Sequence, residues 1–379
     1  MTASSSVHSG CRPIRVAQIV GKMNGGGVEA VVMNYYRHID RSRVQFDFLV
    51  DADSTLVPTE EIESLGGRVF VVPPYQNVLE YQQALRSLFR VQGWEIVHSH
   101  INALSVFPLR AAKKAGVPVR IAHSHSTSGK GEYAKNALKA VLRTQANRYP
   151  THRFACSELA GKWLFGEKRD YALFYNAIDL DSFAFDAEKR RRTRDALGIP
   201  EATFVVGHIG RFMTQKNHSF LVAVFAKFNE LVPDSLLLLA GNGELMAQTE
   251  ELAAKLGIAD RVRFLGYRSD FDCLYQAFDC FVLPSLYEGL PLVAVEAQRA
   301  GLRCLLSTAI TREVALTDGT EFLRIDSVDE WVRALETVSE KRDRIDALVG
   351  LFAAYDIADA SSRLQDYYYD LISGVQHAQ

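Results

Sequence analysis

The stretch FVVGHIGRFMTQKN at residues 204–217 decides the fold of this 379-residue chain. Its first six residues are mostly aliphatic or aromatic, which predicts a buried strand over residues 204–209. The glycine and polar residues that follow predict a loop, and the apolar periodicity of residues 219–231 predicts a helix. Function concentrates in the loops that follow the strands of a parallel sheet, so this unit directs attention to residues 210–217.

The same alternation of short strands and amphipathic helices extends in both directions from this unit. Downstream it predicts helices in every gap between strands at residues 235–240, 262–265, 280–283 and 303–307. Upstream it predicts helices such as 28–39, 78–91, 105–115 and 135–149 between strands at residues 15–20, 46–50, 68–72, 95–100, 119–123, 153–156 and 171–175. This rhythm is typical of βαβ units, so the fold class is α/β with two doubly wound domains.

The domain boundary is predicted near Leu180. Residues 1–180 then form the first domain and residues 181–354 the second, a division that suits the chain length at roughly 150 residues per domain. The amphipathic segment 355–379 is predicted to be a closing helix that crosses back to the first domain. Ligands of open α/β sheets sit beyond the carboxyl ends of the strands, so a shared substrate is expected in a cleft between the domains.

The amino-acid composition is that of a globular protein and excludes several other classes of protein. Hydrophobic residues make up 48% of the chain, and 43 basic residues against 45 acidic ones give a net charge of −2, which excludes disorder and argues against a nucleic-acid partner. No apolar stretch reaches the ~18 residues of a membrane span. Residues 1–15 lack the features of a signal peptide, so a cytoplasmic location is expected. The five cysteines include no CxxC pair, and we interpret them as reduced thiols.

The loop Gly210–Asn217 is a candidate phosphate site. Glycine permits close approach to the backbone, Arg211 offers a planar fork of donors, and Lys216 offers a point charge, a combination suited to a diphosphate. A solvated loop with ordinary surface charges is the alternative, and the spacing alone leaves both interpretations open.

The segment PSLYEGLP at residues 284–291 is the second candidate. It leads into a predicted helix over residues 290–300, and Pro291 suits the first turn of that helix. The free backbone amides of Gly289, Leu290 and Leu292 are expected to point at an anion. The carboxylates of Glu288 and Glu296 can each accept hydrogen bonds from two vicinal hydroxyls of a sugar. Alternatively, Glu288 is simply exposed and Glu296 pairs with a base, although the apolar neighbours of Glu296 favour a buried polar role.

The first predicted strand is followed by a glycine-rich loop, GKMNGGG at residues 21–27. Its spacing fits neither G-x-G-x-x-G nor the P-loop, so a dinucleotide site is disfavoured. Gly25, Gly26 and Gly27 can still form a backbone-rich wall close to a substrate. A purely conformational role for these glycines is an equal alternative.

Two histidine pairs, His98/His100 and His123/His125, each stand at the end of a predicted strand. Residues i and i+2 share a face, so a four-histidine metal cluster is conceivable, but no carboxylate accompanies either pair and we predict no metal site. We favour a histidine that donates a hydrogen bond to a sugar hydroxyl or a phosphate. The two D-x-D triplets, at residues 51–53 and 179–181, recur easily by chance and are discounted as metal–nucleotide sites.

Two basic segments have competing interpretations. A spacing of four residues between Lys135, Lys139 and Arg143 predicts a basic amphipathic helix. Its basic face could attract anionic lipid or a pyrophosphate-bearing acceptor. The alternative is an ordinary helix that packs on the sheet and has a solvated side. The run EKRRRTR at residues 188–194 is interpreted as a solvated helix face.

Four motifs give the chain a family resemblance. They are G-R-x4-K-N at residues 210–217, A-G-x-G-E at 240–244, V-x-F-L-G at 262–266 and P-S-x2-E-G-x-P-x4-E at 284–296. With these motifs the chain resembles glycosyltransferase family 4, which implies the GT-B fold of two Rossmann-like domains facing across a cleft. Arg303, where relatives often have proline, is a departure that bears on none of these loops.

The resemblance implies roles residue by residue. Arg211 and Lys216 hold the donor diphosphate, Glu288 contacts the donor sugar, and Glu296 binds the nucleotide ribose. Gly25, Gly26 and Gly27 lie near the phosphates and the acceptor. A histidine that follows the fifth strand lies at the reacting sugar, and His125 is favoured over His123. Further donor-binding positions are Gly210, Asn217, Gly241, Gly243, Gly289, Leu290, Pro291 and Leu292.

The activity implied is retaining, metal-independent transfer of a hexosyl unit from a nucleotide sugar, with a UDP-sugar favoured over a GDP-sugar and with no cofactor. The first domain would bind the acceptor, a glycan that is expected to be lipid-linked, in exopolysaccharide or capsule synthesis. Peripheral contact with the inner face of the membrane accompanies this expectation. The alternatives are a nucleotide-sugar epimerase or a phosphorylase of the same fold, and a catalytically silent sugar-binding subunit.

Overall fold

The computed structural model describes residues 12–125 and 140–376. These residues fall into two compact domains. The first contains residues 12–125, 140–174 and 357–376, and the second contains residues 175–356. The chain thus changes domain after Phe174 and again after Asp356, near the predicted positions 180 and 354.

The first domain is built on a seven-stranded parallel sheet with strand order β3-β2-β1-β4-β5-β6-β7. Its strands are β1 Ile14–Gly21, β2 Val44–Asp51, β3 Arg68–Val72, β4 Ile96–Ser99, β5 Val119–Ser124, β6 His152–Ala155 and β7 Ala172–Leu173. Its helices are Gly27–His38, Thr59–Ser64, Val78–Gln92, Val106–Ala115, Glu158–Phe165 and Ile357–Gln376, with a 3-10 turn at Asn102–Ser105. Every residue of β2 is buried, as expected of a parallel strand that helices cover on both faces.

The second domain has a six-stranded parallel sheet with strand order β10-β9-β8-β11-β12-β13. Its strands are β8 Phe204–Ile209, β9 Ser235–Ala240, β10 Val262–Phe264, β11 Cys280–Leu283, β12 Arg303–Ser307 and β13 Thr320–Leu323. Its α-helices are Leu180–Phe183, Ala187–Ala196, His218–Leu231, Met246–Lys255, Phe271–Ala277, Leu292–Arg299 and Val328–Lys341. Its 3-10 turns are Thr214–Lys216, Ala259–Arg261, Arg312–Val314 and Val349–Tyr355.

Each sheet has one point at which the order of strands along the chain reverses. In the first domain this switch point lies between β1 and β4, and in the second it lies between β8 and β11. The helices that follow two such strands run to opposite faces of the sheet, which opens a crevice between the loops. The glycine loop and the motif loops therefore follow the strands that flank the two switch points.

The C-terminal helix, Ile357–Gln376, packs in the first domain, as predicted. Tyr368 is fully buried there. The hydroxyl of Ser361 donates to the carbonyl of His38 at 3.3 Å, and the amide of Asp40 donates to the side chain of Gln365 at 3.2 Å. These contacts attach the end of the chain to the helix Gly27–His38. None of the helices within residues 12–125 and 140–376 combines the length and apolar character that crossing a bilayer requires.

Two sequence predictions need correction. β13 was missed because Thr320–Leu323 is a short edge strand with an exposed Glu321, so it lacks the buried apolar run of the other strands. The solvated face predicted for residues 188–194 is wrong for Arg194, which is 1% exposed and donates to the carbonyl of Ala277 at 3.0 Å and to Asp279 at 3.3 Å.

The predicted basic helix falls partly outside the described residues, because Lys135 and Lys139 precede residue 140. The guanidinium of Arg143 lies 4.6 Å from the centre of the Trp163 ring, where a cation–π contact forms. Arg303 pairs with Asp343 through two hydrogen bonds of 3.0 Å.

Candidate active site

Two motif loops meet at the switch point of the second domain. Nζ of Lys216, in the loop after β8, lies 2.6 Å from Oε1 of Glu288, in the loop after β11. The hydroxyl of Ser285 donates to the same oxygen at 2.8 Å, and Nε2 of Gln215 donates to the other oxygen at 3.0 Å. The structure thus brings together Lys216 and Glu288, two residues that the sequence placed in one site.

Local backbone geometry holds these loops against each other. Asn217 adopts a left-handed conformation with φ of 56° and separates the 3-10 turn Thr214–Lys216 from the helix His218–Leu231. Its side-chain amide donates to the carbonyl of Pro284 at 3.3 Å. The amide of Leu286 donates to the carbonyl of Gln215 at 2.8 Å. Asn217 therefore links the two loops, and its predicted contact with the donor remains a prediction.

Arg211 lies in the same loop and has an exposed side chain. Among the described residues, its guanidinium forms no ion pair or hydrogen bond. Lys216 and Glu288 are instead partly buried, with side chains 14% and 9% exposed. The loop therefore presents one unpaired cation to solvent and one cation that is held by a carboxylate.

Close packing between two loops explains the glycines at positions 241 and 243 of the A-G-x-G-E motif. A Cβ added to Gly241, whose φ is +140°, would lie 2.2 Å from the carbonyl oxygen of Gly210. A Cβ on Gly243 would lie 2.3 Å from the carbonyl oxygen of Phe212. Side chains at these positions would push the loop after β9 away from the loop after β8. Close loop packing explains the A-G-x-G-E spacing, and donor contacts of these glycines stay a prediction.

The helix after β11 begins at Leu292, two residues later than predicted. Pro291 is the residue that precedes the helix, with φ of −74° and ψ of 107°, rather than part of its first turn. The amide of Leu292 opens the helix, while Gly289 and Leu290 belong to the loop before it. Helix ends leave amides without intrahelical partners, so this terminus keeps donors for an anion.

Glu296 is a buried acid with an uncharged partner. Its side chain is buried within the helix Leu292–Arg299, and Oε2 accepts a hydrogen bond of 2.8 Å from the hydroxyl of Tyr275. Burial raises the pKa of Glu296 to about 7, and the hydrogen bond from Tyr275 partly opposes this increase. The buried polar role favoured from the sequence is confirmed, and pairing with a base is not observed among the described residues.

The glycine loop of the first domain already holds a carboxylate. The amide of Gly25 donates to Glu29 at 2.7 Å, and the amide of Asn24 donates to the other carboxylate oxygen at 3.0 Å. Gly25 has φ of 77°, which favours glycine, and a Cβ on Gly26 would lie 3.1 Å from Glu29. Sequence reasoning missed Glu29, although an acidic residue in the first helical turn is a known signal. This loop binds an anion within its own chain, and a substrate phosphate would compete with Glu29 for two amides.

The four histidines form one buried cluster at the switch point of the first domain. The ring centres of His98 and His100 are 4.2 Å apart, and those of His123 and His125 are 3.9 Å apart. Across β4 and β5, the rings of His98 and His123 stack with centres 5.2 Å apart, and those of His100 and His125 are tilted with centres 5.1 Å apart. All four side chains are buried. The histidine cluster therefore contains both residues between which the sequence left the active-site assignment open.

Three of these rings have the spacing of a metal site. One nitrogen from each of His98, His100 and His123 lies within 4.8 Å of the others. However, both nitrogens of His98, both of His100 and Nδ1 of His123 already form hydrogen bonds within the cluster. Burial, together with neighbouring histidines, lowers the pKa of each ring well below its usual value. A metal ion would have to break this network, so we assign no metal to it.

A small cavity borders the histidine cluster. It is lined by His98, His100 and His123 together with Gln18 and Tyr368, and its volume is about 10 Å³. That is the space of about one water molecule. The cavity cannot admit a sugar, so any substrate contact of the cluster has to be made from its outer side.

Two family descriptions match the two domains in turn. "Glycosyl transferase 4-like domain" matches residues 26–166, and "Glycosyl transferases group 1" matches residues 189–348. The second match contains both motif loops of the β8–β11 switch point. The first contains the histidine cluster and begins at Gly26, within the glycine loop.

Individual relatives agree with the family match. The chain is 41% identical to the putative glycosyltransferase EpsF of Bacillus subtilis over 309 residues, which cover 79% of this chain and 80% of the relative. It is 27% identical to a UDP-Gal:alpha-D-GlcNAc-diphosphoundecaprenol alpha-1,3-galactosyltransferase of Escherichia coli, with 97% and 99% covered. The fold matches that of Anabaena HepE, solved in complex with UDP and glucose, with a TM-score of 0.77 at 17% identity over 94% of this chain and 99% of that one. The chain is therefore a glycosyltransferase of the GT-B fold and belongs to the group 1, family 4 glycosyltransferases.

Proposed function

We propose that this enzyme transfers a hexosyl unit from a nucleotide diphosphate sugar to a hydroxyl of a glycan acceptor, with retention of anomeric configuration and without a metal ion. The observation that carries the proposal is the Lys216–Glu288 pair at the β8–β11 switch point. A cation for the diphosphate and a carboxylate for the sugar are joined there in one loop cluster.

The cations supply the electrostatic part of the reaction. The bond between the anomeric carbon and the diphosphate oxygen breaks, and negative charge builds on the leaving diphosphate. Lys216 has three donor positions, so it can remain bound to Glu288 at 2.6 Å and also donate to a phosphate oxygen. Arg211 is free to pair with the same anion. Such stabilisation of developing charge contributes several kcal/mol in a desolvated site.

The acceptor hydroxyl completes the transfer. Its oxygen bonds to the anomeric carbon on the side from which the diphosphate leaves, and its proton passes to a diphosphate oxygen. Glu288 orients the donor sugar through the one acceptor position, on Oε2, that its three protein donors leave unused. Glu296, whose pKa burial raises to about 7, binds the ribose hydroxyls in its ionised form.

The substrates are proposed from two relatives. HepE of Anabaena was crystallised with UDP and glucose, which supports a UDP-hexose as the donor. The name of the Escherichia coli relative gives UDP-Gal as donor and a diphosphoundecaprenol-linked sugar as acceptor. We therefore propose a lipid-linked acceptor that the first domain binds, a role in exopolysaccharide or capsule synthesis, and action at the cytoplasmic face of the membrane.

A donor and acceptor screen tests the proposal. The purified protein is mixed with UDP- and GDP-hexoses and with a GlcNAc-diphospholipid, and release of nucleoside diphosphate is followed together with the anomeric configuration of the product. We expect UDP to be released from a UDP-hexose, and the anomeric configuration of the product to be the same as that of the donor. The rate should not fall when a chelator is added. Inversion, or strict dependence on a divalent ion, would contradict the mechanism. An isomerised nucleotide sugar without release would favour an epimerase, and no turnover would favour a binding subunit.

A variant of Glu288 sharpens this test. Glu288→Ala is expected to lower transfer at least about 100-fold, since a charged hydrogen-bond acceptor for the sugar is lost. The chain should still fold, because the residue lies in a loop. Asp329→Ala is the matched control, as Asp329 is an exposed acid that pairs with Lys227 at 3.0 Å. Equal activity in both variants would refute the role of Glu288.

A further inference from the structure

The two carboxylate oxygens of Glu288 are held by different numbers of donors. Oε1 accepts hydrogen bonds from Nζ of Lys216 at 2.6 Å and from the hydroxyl of Ser285 at 2.8 Å. From the described residues Oε2 accepts a single hydrogen bond, which Nε2 of Gln215 donates at 3.0 Å. An ionised carboxylate has about four acceptor positions, two on each oxygen. One position is therefore left for a ligand, and it lies on Oε2.

The side chain of Gln215 is itself fixed to the loop that follows β11. Its Nε2 also donates to the carbonyl of Tyr287 at 3.0 Å. A backbone carbonyl and a carboxylate oxygen both accept hydrogen bonds, so the amide nitrogen of Gln215, rather than its amide oxygen, has to face them. The chemistry of the two partners thus sets the orientation of this amide.

Gln215 determines where the remaining acceptor position of Glu288 points. Two donors hold Oε1, so this oxygen is the pivot of the carboxylate. A rotation about Oε1 moves Oε2, and among the described residues the bond from Gln215 is the one that opposes this movement. The direction of Oε2 therefore depends on the Gln215 side chain.

The link between the two loops does not depend on the Gln215 side chain. The amide of Leu286 donates to the backbone carbonyl of Gln215 at 2.8 Å, and any residue at position 215 retains that carbonyl. The side-chain amide of Asn217 donates to the carbonyl of Pro284 at 3.3 Å. Loss of the Gln215 side chain therefore leaves the loops joined and removes the bond to Oε2.

We infer that Gln215 is a positioning residue that turns Oε2 of Glu288 towards one hydroxyl of the donor sugar and leaves no acceptor position for a second hydroxyl. This role rests on the proposed function, which supplies the sugar. The sequence allowed Glu288 to accept from two vicinal hydroxyls, whereas three of its acceptor positions are filled within the chain. At Glu288 the enzyme therefore distinguishes hexoses at a single ring position, because an epimer there places its hydroxyl away from Oε2.

A crystal structure of ligand-free Gln215→Met tests the positioning without any substrate. Methionine is similar in size to glutamine and donates no hydrogen bond. We expect the carboxylate of Glu288 to rotate about Oε1 or to occupy two conformers in the variant, and to occupy one conformer in the wild-type protein. A carboxylate that keeps the wild-type position in the variant overturns the inference, whether or not the protein has transferase activity.

Kinetic constants separate positioning from loop packing. Gln215→Met should lower kcat/KM for a UDP-hexose about tenfold, because the sugar loses a directed hydrogen bond to a charged group. The inhibition constant of UDP, which carries no sugar, should stay within about twofold of wild type. Equal losses for UDP and the UDP-hexose would show that Gln215 only packs the loops, and would overturn the inference.

Gln82→Met is the matched control for these constants. Gln82 is a buried glutamine of the first domain, and its amide nitrogen donates to the carbonyl of Phe107 at 2.5 Å. The same substitution there removes an amide hydrogen bond without touching Glu288. Both constants should stay within about twofold of wild type.

Deoxy donors count the sugar hydroxyls that bind Glu288. Analogues of the UDP-hexose that the enzyme uses, each lacking one hydroxyl of the hexose, are compared in the wild-type protein and in Glu288→Ala. A hydroxyl that binds Glu288 should cost about tenfold in kcat/KM when it is removed in the wild type, and less than about twofold in the variant. We expect one such hydroxyl. Two such hydroxyls, or none, would overturn the inference.

The outcomes for Gln215 and for the proposed function can be told apart. A wild-type protein that turns over no nucleotide sugar would refute the proposed function, and the crystal structure of Gln215→Met would still decide whether Gln215 positions Glu288. Circular dichroism shows whether the variant folds. If it does not fold, the deoxy donors decide the question with wild-type protein and Glu288→Ala.

Discussion

The switch points of the two domains have the same strand topology and opposite chemistry. At β8–β11 the loops carry two basic side chains and one acidic side chain, namely Arg211, Lys216 and Glu288. At β1–β4 a cluster of buried imidazoles is joined to Gln18, and burial lowers the pKa of His98, His100 and His123. Topology therefore fixes where ligands bind, and side chains decide what is bound. The charged region suits a diphosphate, and the histidine cluster suits hydroxyl groups.

The largest expected effect breaks the charged region. Lys216→Ala should lower kcat with a UDP-hexose by about 10²–10³-fold, because it removes a cation from the position at which charge develops on the diphosphate. Lys227→Ala is the control, since Lys227 lies on the following helix and forms an exposed pair with Asp329. Comparable rates in the two variants would show that the Lys216–Glu288 pair is structural.

The histidine cluster should make the free energy of unfolding depend on pH. Burial lowers the pKa of His98, His100 and His123 well below the value of about 6.5 that they have when unfolded, so the unfolded state binds more protons below pH 6.5. Their contribution to stability is complete above pH 6.5 and is lost as the pH falls. Asp51 partly offsets this, since burial raises its pKa to about 6.

Urea unfolding of the first domain measures this loss. Trp331→Phe leaves Trp94 and Trp163, both in the first domain, as the fluorescent reporters. The free energy of unfolding should fall by about 2–3 kcal/mol between pH 6.5 and pH 5.5. A free energy that stays constant or increases over this interval would mean that the histidine cluster is charged in the folded protein.

A smaller effect concerns Glu296 in the second domain. Burial raises its pKa to about 7, so the carboxylate that would accept ribose hydroxyls is mostly protonated at pH 6. The affinity for UDP-glucose should therefore weaken up to about tenfold from pH 8 to pH 6. Glu296→Gln should remove this dependence. Calorimetric titration at the two pH values checks both, and an unchanged pH dependence in the variant would separate Glu296 from nucleotide binding.

The sequence predicted the strands correctly where a run of apolar side chains matches a buried strand. Strands β8, β9, β11 and β12 have the predicted bounds, because buried parallel strands are short apolar runs between turn signals. The placement of Lys216 and Glu288 in one site followed from locating both loops after strands, whereas the ion pair between them was not predicted. β13 escaped because an exposed edge strand has no such apolar run.

Long-range polar contacts could not be predicted from local pattern. Gln18 and Tyr368 are 350 positions apart in the chain, and neither residue type signals the hydrogen bond between them. Arg194 looks like a surface residue in a run of charges, yet backbone carbonyls at Ala277 and Thr203 accept its donors in the interior. Such contacts depend on how distant elements pack, which one sequence does not specify.

A crystal structure with a bound UDP-hexose tests the central claim most directly. We expect the diphosphate to lie against Nζ of Lys216 and the guanidinium of Arg211, in the loop that follows β8, and a sugar hydroxyl to bind Glu288, in the loop that follows β11. A diphosphate bound away from these loops, with the Lys216–Glu288 pair left untouched, would contradict it.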